Sequence, residues 1–405
     1  MAMVVNAWRA SIARYVALRE WRLLFLTFFA LLLAGCSGTS NMGSLLSDSS
    51  QEQQAEPLAP NAQGGRKVAL LLPLSGNGTA SVAVALKQAA ELALGDAGNS
   101  GITLLVKDTE GTAGGAKAAA EAALAEGAEL ILGPLLSSEV EAVSPVARAG
   151  GISVVAFSSV SSVAGSGTYL MSFLPEQEVS AAFRYVSAQG YRNIAALYPK
   201  SQYGGIVEEA ALKSAATYGA SISPAGRYVR ETPQASPDVA RIATSLNEGA
   251  GEQALFLPEG GAALKALGST LEGLGVSPAA VKVIGTGLWD DKVAPSVPLA
   301  QGGWYAGVSP ELVANFDGKY AGSYGGMPPR IASLAYDAAT LAVTLAKAGS
   351  FGQQAIANPS GFQGQNGLFR FRANGLIERG LAILEMSPSG PRVISPAPSR
   401  FTEGS

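Results

Sequence analysis

Leu130-Ile131-Leu132-Gly133-Pro134-Leu135-Leu136-Ser137-Ser138 is the stretch that decides the reading of this chain. An apolar run stops at a glycine, turns through a small loop and opens onto a helical pattern. The same grammar recurs. Residues 68–72 run into Pro73-Leu74-Ser75-Gly76, and residues 152–157 into Ser158-Ser159. Residues 194–198 run into Pro199-Lys200-Ser201-Gln202-Tyr203-Gly204, and residues 281–285 into Thr286-Gly287-Leu288-Trp289-Asp290. Short apolar runs that alternate with helical stretches predict βαβ units, hence a parallel sheet covered by helices on both faces. Such sheets bind ligands beyond the carboxyl ends of their strands, so the candidate functional residues lie in these loops.

Outward from that stretch, the rhythm predicts strands at 68–72, 102–106, 130–132 and 152–157, with helices at 81–94, 112–126 and 138–149. After a glycine-rich pause at 164–168 and a run at 169–174, the rhythm restarts. Strands are expected at 194–197, 223–228, 254–257 and 281–284, with helices at 177–189, 203–218, 237–247 and 262–274. This is a second doubly wound lobe, alike in rhythm and without a close sequence repeat. Gly302-Gly303-Trp304-Tyr305-Ala306 reads as a further crossing strand, followed by helices near 310–320 and 331–348. Residues 364–371 alternate like an exposed edge strand, and Ala373-Asn374-Gly375 is a hairpin turn returning through 381–386.

Composition narrows the function. The 405 residues carry 48% hydrophobic side chains, a net charge of −3, no histidine and one cysteine. A chain of that length suggests two or three lobes. A slightly acidic balance gives no electrostatic case for nucleic acid. Without histidine, Ser-His-Asp and Cys-His catalysis and the commonest zinc ligand are excluded. There is no GxSxG, Walker lysine or SxxK motif. The reading is a non-enzyme without cofactor or metal.

The amino-terminal 1–35 stretch reads as a signal peptide. Arg9, Arg14, Arg19 and Arg22 precede an apolar segment at 23–33 that is short for a membrane span. Leu33-Ala34-Gly35-Cys36 resembles the bacterial lipobox, which implies lipidation of Cys36. Ser37, rather than aspartate, favours the outer membrane over the inner. Residues 36–66, rich in Ser, Gly, Gln, Asn and Pro, read as a flexible tether that holds the folded part on the periplasmic face.

The motifs in register, 68–76, Gly133-Pro134, 154–158, Tyr203-Gly204 and Ala335-Tyr336-Asp337-Ala338, resemble the type I periplasmic-binding fold in its leucine/isoleucine/valine-binding branch. Within it the chain resembles the penicillin-binding protein activator lipoproteins most. The resemblance implies two doubly wound lobes, joined by three crossovers around a cleft. Lobe 1 would be 67–172 with 303–350, lobe 2 would be 173–302 with 351–390, and 391–405 a tail. It implies that first-lobe hydroxyls after the third and fourth strands, Ser137, Ser138, Ser158 and Ser159, hold a ligand carboxylate. Ser75 joins them at the end of the first strand, and Tyr203 would close from the second lobe. Ser138 and Ser159 read equally as helix caps or turn residues, and Tyr203 equally as a packing residue. A second-lobe carboxylate would meet a ligand ammonium, with Glu259 and Asp290 as candidates, and Trp289 would fill part of the cleft. Two functions follow. One is a regulator of peptidoglycan synthesis that contacts a penicillin-binding protein. The alternative is the solute receptor of an ABC importer for amino acids or related small polar ligands, with the permease as partner.

Overall fold

The computed structural model describes residues 65–249 and 253–401. The signal, the tether and Cys36 lie outside the described residues.

Five strands form the first sheet: β1 (Arg66–Leu72), β2 (Ile102–Asp108), β3 (Leu130–Leu132), β4 (Ser153–Ala156) and β5 (Thr168–Leu170). All pair in parallel in the order β2-β1-β3-β4-β5. Alternation along the strands divides their side chains between two cores. Val68, Leu70 and Leu72 face α1 (Ala80–Asp96) and α9 (Ala332–Lys347), while Ala69 and Leu71 face α2 (Ala113–Ala125) and α3 (Ser137–Ala149). A strand buried on both faces reads as a continuous apolar run, which is why 68–72 is legible. Alanines 83, 89, 90 and 93 of α1 meet an equally alanine-rich α9, and small side chains let two helices approach closely. The Thr112 hydroxyl caps α2 by accepting from the Gly115 N–H at 3.0 Å.

The second sheet contains β6 (Asn193–Pro199), β7 (Ser221–Tyr228), β8 (Gln253–Phe256), β9 (Val281–Ile284) and β10 (Trp304–Gly307), joined by β14 (Ala382–Glu385) and β15 (Arg392–Ser395). Its order is β15-β14-β10-β9-β8-β6-β7, and β14 and β15 run antiparallel at one edge. One face carries α4 (Pro175–Ala188) and α5 (Gln202–Thr217); the other carries α6 (Pro237–Glu248) and α7 (Gly261–Gly273). A small antiparallel sheet of β11 (Phe362–Gly364), β12 (Gly367–Phe371) and β13 (Ile377–Arg379) completes the described strands. The remaining helices are α8 (Pro310–Tyr324) and the short α10 (Gln353–Ile356).

Sheet membership corrects the expected lobe boundaries at three places. Residues 304–307 pair with β9 and β14, so the chain returns to the first lobe only after β10. Residues 362–379 pack on the first lobe, because Phe369, Phe371 and Ile377 enter its core. Their hairpin closes back through β13, and residues 382–385 cross to the second sheet instead of completing it. β12 is the buried middle strand of its sheet, not an exposed edge. The expected tail contributes β15 to the second sheet.

A buried charge pair anchors the small sheet. Asp337 of α9 accepts from the Gln365 N–H at 2.6 Å and the Asn366 side-chain amide at 2.8 Å, and pairs with Arg379 of β13 at 3.2 Å. Both side chains of the pair are almost wholly buried. Removing one partner of such a pair leaves the other charge uncompensated. Asp337→Ala is therefore expected to lower stability by about 3–5 kcal/mol, read as a lower urea midpoint than wild type.

Candidate functional site

Glycines shape the loops at the strand ends. Gly133 has φ +85°, and a Cβ there would collide with the Leu71 carbonyl oxygen. A Cβ on Gly204 would collide with the Pro199 carbonyl, so Tyr203-Gly204 is a close-approach turn opening α5. Gly287 allows Glu178 and Arg330 to sit against its Cα, and Gly260 accepts Leu288. Gly260 thus lets the loops after β8 and β9 close on one another, and Gly287 lets Glu178 and Arg330 close on the loop after β9.

A cavity of about 480 Å³ lies beyond the carboxyl ends of β7, β8 and β9. Arg230 comes from the loop after β7, Glu259 and Gly260 from that after β8, Gly261 from the start of α7, and Gly287, Leu288, Asp290 and Asp291 from the segment after β9. The first lobe contributes Arg330, two residues ahead of the start of α9.

The charges are interlocked. Glu259, buried, accepts from the Tyr228 hydroxyl and from Arg230 Nε, each at 2.7 Å. Burial pushes the Tyr228 hydroxyl well above its ordinary range, so it stays a donor. Asp290 Oδ1 accepts from the Tyr305 hydroxyl at 2.5 Å, and its Oδ2 lies 3.6 Å from Arg330 Nε. Arg330 Nη2 donates to Glu178 Oε1 at 3.1 Å, and Glu178 Oε2 accepts from the Gly287 N–H at 3.0 Å. The Arg330 guanidinium lies 4.1 Å from the centre of the Phe173 ring, in the crossover after β5. Arg330 thus joins first-lobe chain, crossover and second-lobe carboxylates. Burial works against its charge, but Glu178 and Asp290 more than offset that and raise its pKa.

The structure brings together Glu259 and Asp290, the two second-lobe candidates. It leaves the first-lobe hydroxyls elsewhere: none of Ser75, Ser137, Ser138, Ser158 and Ser159 lines the cavity. They stand at the carboxyl ends of β1, β3 and β4. Ser75 is exposed, and its N–H donates to Asp108 Oδ1 at 3.2 Å. Ser137 and Ser138 are the first two residues of α3, whose cap position is Leu136, so neither hydroxyl caps the helix. Ser158 is buried and accepts from the Val160 N–H at 3.2 Å, a turn contact; Ser159 is exposed. Tyr203 is half-buried, with its hydroxyl 3.0 Å from that of Thr286.

Trp289 is a correction. It is wholly buried in the second-lobe core, 5.7 Å from the Tyr305 ring, and does not enter the cavity. Gly285 and Gly303 make room for its indole, since a Cβ at either would collide with it. Arg230, Glu178 and Arg330 escape the sequence reading. Arg330 sits between Pro329 and a buried helix with no motif around it, and only the isolated charge next to a proline pair could have drawn attention.

Two doubly wound lobes with a strand-end cavity on one and an arginine reaching it from the other define a binding protein of the two-lobed periplasmic class. The chain belongs to the periplasmic binding protein family, whose model matches residues 65–388. Among similar solved structures is a branched chain amino acid ABC transporter periplasmic ligand-binding protein from Burkholderia xenovorans. It is 18% identical, with TM-score 0.66, and the match covers 83% of this chain and 94% of that one. A leucine-, isoleucine-, valine-, threonine- and alanine-binding protein from Brucella ovis, in a closed conformation, matches at 17% identity and TM-score 0.61 over 84% and 94%. A solute binding protein of an ABC transporter from R. palustris, in complex with benzoate, matches at 19% and 0.59 over 84% and 98%. At these identities the likeness shows the fold. No curated protein sequence matches the chain.

Burial is the main reason the Asp290 carboxyl ionises above its ordinary 3.8, against the opposing pull of Arg330 and Tyr305. A raised carboxyl contributes most to folded-state stability while protonated and loses that contribution as pH rises from the unfolded-state value through the folded one. Relative to Asp290→Asn, wild type is therefore expected to be more stable near pH 3.5 than near pH 7. Urea unfolding of both proteins at the two pH values checks the sign.

Proposed function

We propose that this protein is the periplasmic receptor of an ABC importer and that its lobes close on a small polar solute. The observation that carries the reading is the cavity, formed by the second-lobe loops after β7, β8 and β9 and met from the first lobe by Arg330. A volume of about 480 Å³ falls within the range of small-molecule sites. Hinge closure around a ligand is the common working motion of two-lobed binding proteins. The family match over 65–388 and the solute-binding identity of the similar structures support the receptor over a regulator of penicillin-binding proteins. Lipidation at Cys36 would keep the receptor beside the membrane at high local concentration. Glu259, Asp290 and Asp291 are the lining carboxylates, and the serines of the first lobe would meet the solute only on closure.

Thermal unfolding of the purified protein tests the reading against a panel of branched-chain amino acids and aromatic acids. A solute at about a hundred times its Kd is expected to add roughly 2.7 kcal/mol, seen as a higher Tm. Absence of any shift, together with co-purification of a penicillin-binding protein, would favour the regulator.

A further inference from the structure

The carboxyl-terminal residues cross between the lobes once more. β15 pairs with β14 at the edge of the second sheet. The chain then runs from Pro396 to Phe401 and ends its described course on the small sheet that packs on the first lobe. There the Arg370 guanidinium of β12 lies 4.3 Å from the centre of the Phe401 ring. Gly361, just ahead of β11, makes room for that ring: a Cβ on it would lie 2.9 Å from the nearest ring carbon. Phe401 is thus seated at a fixed place on one lobe while β15 is held by backbone pairing on the other. Both β15 and these last residues lie beyond the 65–388 span that the family model matches.

Between its two ends the segment passes over a hinge. β13 belongs to the small sheet and β14 to the second sheet, and only Gly380 and Leu381 link them. Lobe rotation in two-lobed proteins is absorbed by a few such linking residues, and a glycine absorbs it with least steric cost. Here Pro398 covers that glycine. A Cβ on Gly380 would lie 3.1 Å from the Pro398 ring. The segment Ser395-Pro396-Ala397-Pro398-Ser399-Arg400-Phe401 is also built to stay taut. It contains no glycine, and its two prolines fix φ and favour an extended, semi-rigid chain.

From these contacts we propose that residues 396–401 form a strap that limits rotation of the lobes about the link between β13 and β14. Phe401 is its anchor on the first lobe and β15 its anchor on the second. The proposal rests on the two-lobed fold and not on the receptor reading, so it concerns the protein with or without a solute.

Distances between paired nitroxide labels test it, measured by pulsed electron resonance without added solute. Ala118→Cys on α2 and Ser269→Cys on α7, both exposed, carry the labels in the full chain with Cys36→Ser. The background protein is expected to give a narrow distribution. Phe401→Ala should broaden it or add a displaced second maximum. The double variant Pro396→Gly with Pro398→Gly, which keeps both anchors but slackens the strap, should broaden it less. A role for Phe401 in local packing alone would lower the unfolding temperature of Phe401→Ala and leave the distribution as in the background protein, which would overturn the proposal. Should Phe401→Ala fail to give the background circular dichroism spectrum, the double proline variant decides: broadening supports the strap, and an unchanged distribution overturns it.

Discussion

A parallel strand covered by helices on both faces has no side chain to spare for solvent, and the polar chemistry of this protein follows from that constraint. Val68, Leu70 and Leu72 point to one core and Ala69 and Leu71 to the other. In the second lobe, Ile194, Ala196 and Tyr198 divide from Ala195 and Leu197 in the same way. What is left for recognition is the set of loops where strands end and helices begin. Those loops carry backbone donors at helix starts and a choice of side chains that packing does not dictate. The cavity beyond β7, β8 and β9 occupies such a position.

Charge in this cavity is organised by exchange between elements distant in sequence. Glu178 and Arg330 are 152 residues apart, and Arg230 and Glu259 are 29 apart. Each carboxylate is desolvated and each is offset by a cation, a hydroxyl or a backbone N–H, which is how buried charge is tolerated at all. Arg330 has the widest set of contacts: an aromatic ring in one crossover and two carboxylates of the opposite lobe. A change of lobe orientation would have to act on these contacts. The cavity and the relation of the lobes are therefore coupled through one side chain.

The strands and helices of both sheets were legible because their signals are local. Runs such as 130–132 and 281–284 fall where periodicity places them, and helix boundaries move by only a few residues. Glu259 and Asp290 could be picked out because each follows a strand closely. Trp289 follows the same strand but turns inward, since Gly285 and Gly303 leave a slot for its indole beneath the sheet. The carboxyl-terminal region was read less well. Residues 364–371 alternate as an edge strand would, yet Phe369 and Phe371 enter the first-lobe core and the strand is flanked on both sides. A period of two reports that a strand has two unlike faces, not which lobe supplies the buried one.

By itself the sequence determined the class of architecture, the repeated strand–loop–helix unit and the absence of histidine-based chemistry, because these depend on side-chain pattern within a few residues. The tertiary structure alone decided which lobe claims β10 and β12, and which charges meet at the cavity. Those outcomes depend on pairings across tens to hundreds of residues. No local preference distinguishes an arginine beside Glu178 and Phe173 from one that faces water. Only when the crossovers bring the two lobes together does Arg330 acquire its partners and its direction.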